Sequence, residues 1–307
     1  MQHIVECYKK VKSDCFKFIK LQETKTNKFK NKNKMLKSYL IPVSFWIANK
    51  SNKKSPLIIG LAGGQGTGKT TIASILSLIL KKYFKLKVFK ISIDDFYKTR
   101  DERKVLSTTK HPLLMIRGVP GTHDCKYINN FFKKVKIKKF NKLRLPRFDK
   151  SKDERCHKKL WYKINSRPDV IILEGWCVGA KVQKNSQLLK SINSLEEKKD
   201  SDLVWRKYVN TQLKTNYKKL FKQLNEIIYL RANNFKILQK WRIKQEKTLW
   251  TKLKSKKNLR IMNRDDIIIF MQTYQRITQN MFKDVPKYAS IVMKLNSSHQ
   301  INSIKFR

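Results

Sequence analysis

Two spacings of apolar residues organise the chain. LIIGLA (57–62) is a short unbroken apolar run closed by a glycine cluster, as expected of a strand buried on both faces. TTIASILSLILKKY (70–83) then places its apolar residues at helical spacing. KVFKISI (87–93) predicts a second strand ending at Asp94-Asp95, and DVIILEG (169–175) a third, beginning just after Pro168. EIIYLRA (226–232) and ASIVMKLN (289–296) predict two more. Helical patterns fall at NFKILQKWRIKQEKTLW (234–250) and DDIIIFMQTYQRITQNMF (265–282), and residues 181–226 read as polar helix. Strands alternating with helices imply an α/β fold, a parallel sheet with helices on both faces. No internal repeat is present.

The first 56 residues differ in character. The polar run TKTNKFKNKNK (24–34) predicts a loop or helix end, YLIPVSFWIANK (39–50) a short helix packed on the main body, and SNKKSP (51–56) a linker. The expected division is a basic helical extension over 1–56 followed by one domain over 57–307.

Composition narrows the class. Forty per cent hydrophobic residues in 307 provide for a sizeable core and exclude a wholly disordered chain. Lys plus Arg number 71 against 22 acids, a formal charge of +49. Such charge invites a nucleic-acid reading, but the lysines are spread over nearly every segment, and no zinc-finger, RNP-type or KH-like pattern appears. A solvated basic surface is the favoured reading, with nucleic acid disfavoured as a partner. The five cysteines are scattered without a C-x-x-C pair, which fits a reducing compartment. The N-terminus breaks each apolar run with a charge, and no stretch reaches a membrane-spanning length. A cytoplasmic protein without membrane partners is expected.

The chemistry begins at Gly63-Gly64-Gln65-Gly66-Thr67-Gly68-Lys69-Thr70, which matches G-x-x-x-x-G-K-[ST] between a strand and a helix. Glycines let main-chain N–H groups converge on phosphate oxygens, and the following helix aims its positive end at them. Lys69 is placed to bridge β- and γ-phosphates and the Thr70 hydroxyl to coordinate Mg²⁺. Gly63, Gly64, Gln65, Gly66, Thr67, Gly68, Lys69, Thr70 and Thr71 are therefore the nucleotide-binding candidates. The dinucleotide fingerprint G-x-G-x-x-G fails, since counting from Gly64 its sixth position is Lys69.

Two strand-end acids distinguish a kinase from other triphosphate-binding classes. Asp94 is a candidate general base that also lies near the metal, and Glu174 a candidate Mg²⁺-linked acid. Strand alternation points Asp95 the other way. No N-K-x-D guanine-reading motif occurs, so a small-molecule kinase using ATP and Mg²⁺ is favoured.

Together, GGQGTGKTT, SIDDFYKT, HPLLMIRGVPGTHD, LPRFDKSKDER, ILEGWCVG and the WRIKQE helix resemble the glycerate kinase group (D-glycerate 3-kinase-like) of the phosphoribulokinase/uridine kinase-like phosphate-loop kinases. The resemblance runs from about Tyr39 to the C-terminus. It implies a phosphate-loop fold, Asp94 as catalytic base, Glu174 as the metal-linked acid, an acceptor-binding insertion over 98–168, and a helical lid over 231–262. In the lid, Arg242, with Lys240, would stabilise the transferring phosphoryl.

An acceptor such as glycerate is a small anionic hydroxy acid and calls for cationic forks and hydrogen-bond donors. Arg117, His123, Arg147, Lys150 and Arg155 lie in the two loops between strands two and three, and arginine holds carboxylates bidentately. Asp124 and Asp149 are candidates for gripping acceptor hydroxyls. His111 reads as a structural turn residue, and Phe96 and Tyr97 as packing. The expected reaction is γ-phosphoryl transfer from Mg-ATP to a hydroxyl, with D-glycerate first among acceptors. Uridine, pantothenate or a sugar phosphate are alternatives, as is a non-catalytic nucleotide- or nucleic-acid-binding protein.

Overall fold

The computed structural model describes residues 2–24, 28–52, 54–253 and 263–307, without the side chains of 248–253. Residues 25–27 of the expected loop, residue 53 of the linker and residues 254–262 of the expected lid lie outside the described residues.

Strands β1 (Leu57–Gly63), β2 (Val88–Ser92), β3 (Val170–Gly175), β4 (Glu226–Arg231), β5 (Ile291–Leu295) and β6 (Ile301–Phe306) form one sheet in the order β6-β5-β4-β1-β3-β2. The first five are parallel; β6 returns antiparallel to β5. All of β1 is buried, as its unbroken apolar run requires. The pattern did not predict β6. It is an edge strand exposed along most of its length, so it carries little apolar signal. The turn before it is closed by Asn296–Gln300 main-chain pairing, with His299 left-handed.

The order reverses at β1, which pairs with β3 on one side and β4 on the other. Connections leave this point toward opposite flanks, so a crevice opens at the C-terminal strand ends. The phosphate loop, Glu174 and the turn after β2 all emerge there.

The core has two halves, one per sheet face. Leu57, Ile59 and Leu61 of β1 point into one half, Ile58 and Ala62 into the other. The first half is covered by α1 (Gln2–Gln22), α2 (Ile41–Lys50) and α3 (Lys69–Lys82). α1 buries Cys7, Val11, Cys15 and Ile19, each one turn from the next, and Asp14 pairs with Lys82 of α3 at 2.5 Å. The extension thus shares the sheet's own core. A π-helical stretch, Met35–Leu40, precedes Pro42 in α2. Proline lacks an N–H and crowds the carbonyl four residues back, and the wider turn absorbs both effects.

The second half is covered by α4 (Arg100–Thr109), α5 (Cys125–Lys136), helical pieces within 186–221, and α7 (Arg264–Asp284); α6 (Phe235–Leu253) lies over the phosphate loop. The region read as polar helix, 181–226, encloses a buried ionic network. Arg206 Nε donates to Asp200 at 2.7 Å, and Arg276 of α7 forks onto Glu196 at 2.7 and 2.6 Å. These charges leave water only because each guanidinium finds carboxylate and carbonyl partners.

Because α1 contributes to the central core, Ile19→Ala is expected to destabilise the protein by about 2–5 kcal/mol. Urea denaturation measures this; a change below roughly 0.5 kcal/mol would place α1 outside the cooperative fold.

Candidate active site

The phosphate loop owes its shape to glycines in backbone regions other residues avoid. Gly66 and Gly68 have φ of 78° and 82°, and a Cβ on Gly66 would meet Trp241 Cβ at 3.0 Å. Gly68 caps α3, so the helix presents its free N–H groups to the loop's hollow. Thr67 Oγ1 and Lys69 Nζ both donate to the Gly64 carbonyl, at 2.8 and 2.9 Å. Burial pulls the Lys69 ammonium below its usual range, against the opposing pull of Glu174 and Asp94. The Lys69 side chain remains partly exposed at the loop, so its ammonium fits a triphosphate tail bound there.

Across the crevice Thr70 Oγ1 lies 2.8 and 2.9 Å from the two Glu174 oxygens. Burial raises the Glu174 carboxyl, and Lys69 and Thr70 only partly offset it. A hydroxyl, a strained carboxylate and nearby Asp94 are hard oxygen donors suited to Mg²⁺, and a divalent ion there would relieve the carboxylate's desolvation.

Asp94 is not on the strand. β2 stops at Ser92, whose side chain and Asp95 form a capping box that starts a 3₁₀ turn over Ile93–Phe96. The turn also corrects the expected orientation of Asp95. Its carboxylate receives the Ser92 and Phe148 N–H groups, each at 3.4 Å, and lines the same cavity as Asp94. Asp94 is held at both oxygens, by Tyr97 Oη at 3.0 Å and by Lys150 Nζ at 2.5 Å. Burial pushes its carboxyl up, but Lys150, with His123 and Lys69, outweighs that and holds it at about 2. Tyr97, read from the sequence as packing, is therefore a direct partner of Asp94.

The cavity beside these groups, about 330 Å³, is lined by Thr70, Lys90, Asp94, Asp95, Lys150, Tyr162 and Glu174. Two of the expected acceptor arginines are committed elsewhere. Arg117 pairs with Asp153 and donates to the Lys150 carbonyl, while Arg155 donates to the Tyr97 carbonyl at 3.0 Å. Arg147 is exposed. Asp124 caps α5 through the Tyr127 N–H, and Asp149 closes a turn on Ser151 and Lys152. Short polar side chains in loops satisfy backbone donors first, so both acids are drawn from the role of gripping hydroxyls.

His123 is brought to the site. Its ring stacks on Tyr97 with centroids 4.3 Å apart, Nδ1 meets Tyr217 Oη at 2.5 Å, and Nε2 is buried without a protein partner. Arg103, missed in the sequence, organises this lobe. Fully buried, it donates to the carbonyls of Lys98, Met115 and Asp153 and pairs with the Asp153 carboxylate at 2.9 Å. Nothing in its spacing separates it from the exposed cations around it.

α6 presses onto the phosphate loop through Leu238 at Gly64 and Trp241 at Gly66. Trp241 stacks on His299 at 4.3 Å, and Arg242 is paired with Glu246 at 2.6 Å; Lys240 is exposed.

Burial depresses the His123 imidazole from 6.5 to about 4, with Asp94 opposing. The unfolded chain binds this proton more readily, so between about pH 6.5 and pH 4 stability falls as pH falls. Roughly 3 kcal/mol is at stake across that window. Denaturation of wild type and His123→Gln at pH 7 and pH 4.5 should show a smaller pH loss in the variant; equal losses would contradict the buried neutral imidazole.

No family model matches the chain. It is 30% identical over 227 residues to an uncharacterized kinase of Schizosaccharomyces pombe, covering 71% of this chain and 78% of that protein. Over 227 residues it is 28% identical to the chloroplastic D-glycerate 3-kinase of Arabidopsis thaliana, covering 68% of this chain but only 47% of that enzyme. The fold superposes on the D-glycerate 3-kinase of Cryptococcus neoformans with a TM-score of 0.69 at 21% identity, over 86% of this chain and 99% of the other. No helix among the described residues is long and apolar enough to cross a membrane. On these likenesses the chain belongs to the glycerate kinase-like group of phosphate-loop kinases.

Proposed function

We propose that the protein transfers the γ-phosphoryl group of Mg-ATP to a hydroxyl of a small hydroxy acid, with D-glycerate the first candidate. The observation that carries this reading is the grouping at one sheet edge of the Lys69 cradle, the Thr70–Glu174 pair and Asp94. The likeness to glycerate kinases supports the choice of acceptor.

In this reading the loop amides and Lys69 hold the β- and γ-phosphates, with Gly63 to Thr71 as the cradle. Thr70 and Glu174 would hold Mg²⁺, which when bound neutralises charge developing between the phosphates. Asp94 accepts the proton of the acceptor hydroxyl as its oxygen bonds to phosphorus and the bridging P–O bond breaks toward ADP. His123, through its unpartnered Nε2, and Lys150 face the acceptor. Arg242 reaches the phosphoryl only by leaving Glu246, a change that lid closure would bring. Residues 98–168 supply the acceptor lobe and the region 231–262 the lid.

ADP release measured against D-glycerate, uridine, pantothenate and a sugar phosphate tests the reading. Stimulation by D-glycerate above the rest is expected; no stimulation by any acceptor, with nucleic-acid binding that falls steeply with salt, would favour a binding protein instead. Lys69→Ala should lose ATP binding. Asp94→Asn should bind ATP and lose about 10²–10⁴ in turnover; near-wild-type turnover would remove Asp94 as base.

A further inference from the structure

The cations around the candidate base differ in how tightly they are held. Arg117 is pinned by Asp153 and the Lys150 carbonyl, Arg155 by the Tyr97 carbonyl, and Arg242 by Glu246. Of these, Arg117 is held by two acceptors at once, and a planar fork so fixed does not exchange partners cheaply. Lys150 is held differently. Its backbone sits in the turn that Arg103 and Arg117 fix through left-handed Asp153, yet its side chain is 59% exposed on a flexible stem. Its one hydrogen-bond partner among the described residues is Asp94 Oδ2, at 2.5 Å. Tyr97 Oη occupies Oδ1.

This arrangement sets a contradiction for the proposed reaction. With an ammonium on one oxygen and a phenol on the other, neither Asp94 oxygen is open to an incoming hydroxyl. Lys150 therefore has to leave before Asp94 can take a hydroxyl proton. What draws an exposed lysine from one carboxylate at little cost is another carboxylate, because the ion pair lost is replaced by one of the same kind.

We propose that Lys150 is a specificity-determining latch: it covers Asp94 until the carboxylate of a hydroxy-acid acceptor draws it away, freeing Oδ2 for the proton of the attacking hydroxyl. The inference rests on Asp94 being the base. It gives the acceptor's negative charge a role in turnover as well as in binding. A neutral alcohol of the same shape leaves the latch closed, so it is turned over slowly even when bound. The proton passes from the acceptor hydroxyl to Asp94, the hydroxyl oxygen bonds to the γ-phosphorus, and ADP departs with the electrons of the broken P–O bond. Lys150 keeps its charge throughout and changes only its partner.

The test compares D-glycerate with its uncharged amide, D-glyceramide, in wild type, Lys150→Met, Lys150→Arg and Asp94→Asn. Wild type should strongly prefer the acid. Lys150→Met should raise KM for the acid by ~10-fold or more and raise kcat on the amide several-fold above wild type. Lys150→Arg, which keeps the charge, should leave amide turnover well below that of Lys150→Met. A residue that only binds the carboxylate would lose acid affinity on mutation and leave amide turnover unchanged. Amide kcat in Lys150→Met at or below the wild-type value, zero included, overturns the latch. So does amide turnover in Lys150→Arg as high as in the Met variant. The Asp94→Asn arm separates the two claims: if it turns over both acceptors normally, the base assignment fails, whatever Lys150 does.

Discussion

The contact between Thr70 Oγ1 and Glu174 joins the two halves of the site. Thr70 belongs to the first turn of α3 and Glu174 to strand β3, between β1 and β2, so one hydroxyl ties the phosphate loop to the neighbouring strand. The parallel order makes it possible: β1 delivers the loop and its neighbour β3 delivers the acid at the same level, with Leu61 opposite Glu174. Desolvation of Glu174 is the cost of placing a carboxylate there, and Lys69 and the Thr70 hydroxyl only partly offset it.

The acceptor side is built on a different logic. Leu114, Val119, Leu145 and Ile164 anchor its loops in the second core half, and ionic and carbonyl contacts fix the turn between them. Arg103 gathers three carbonyls and Asp153 in one buried position, which fixes the turn carrying Lys150. Tyr97 links that lobe to the proposed base in two ways, through its hydroxyl to Asp94 and through its ring to His123. The first turn after β2 thus carries both Asp94 and Tyr97, three residues apart.

What could be read in advance followed from local periodicity and motif. The buried parallel strands and the phosphate loop were legible because apolar runs and glycine spacing are local signals. The exposed edge strand β6 gave no such signal. Arg117 and Arg155 showed in the sequence as cations in the right loops, but which carboxylate or carbonyl each would find depends on residues tens of positions away. Asp124 and Asp149 met nearby backbone donors first. Tyr97 was read as packing; its place three residues after an acid in a tight turn was the signal that marks it as a partner. Arg103 was not legible, because burial of a charge is decided by the whole lobe.

The account stands on the hydroxyl–carboxylate pair acting with a metal at the triphosphate. Calorimetric titration of ATP with and without Mg²⁺, in wild type and in Glu174→Gln, addresses that most directly. Magnesium should tighten ATP binding to the wild-type protein, and the variant should lose most of that gain while still binding ATP alone. Equal magnesium dependence in both proteins, or wild-type protein that binds no ATP, would contradict it.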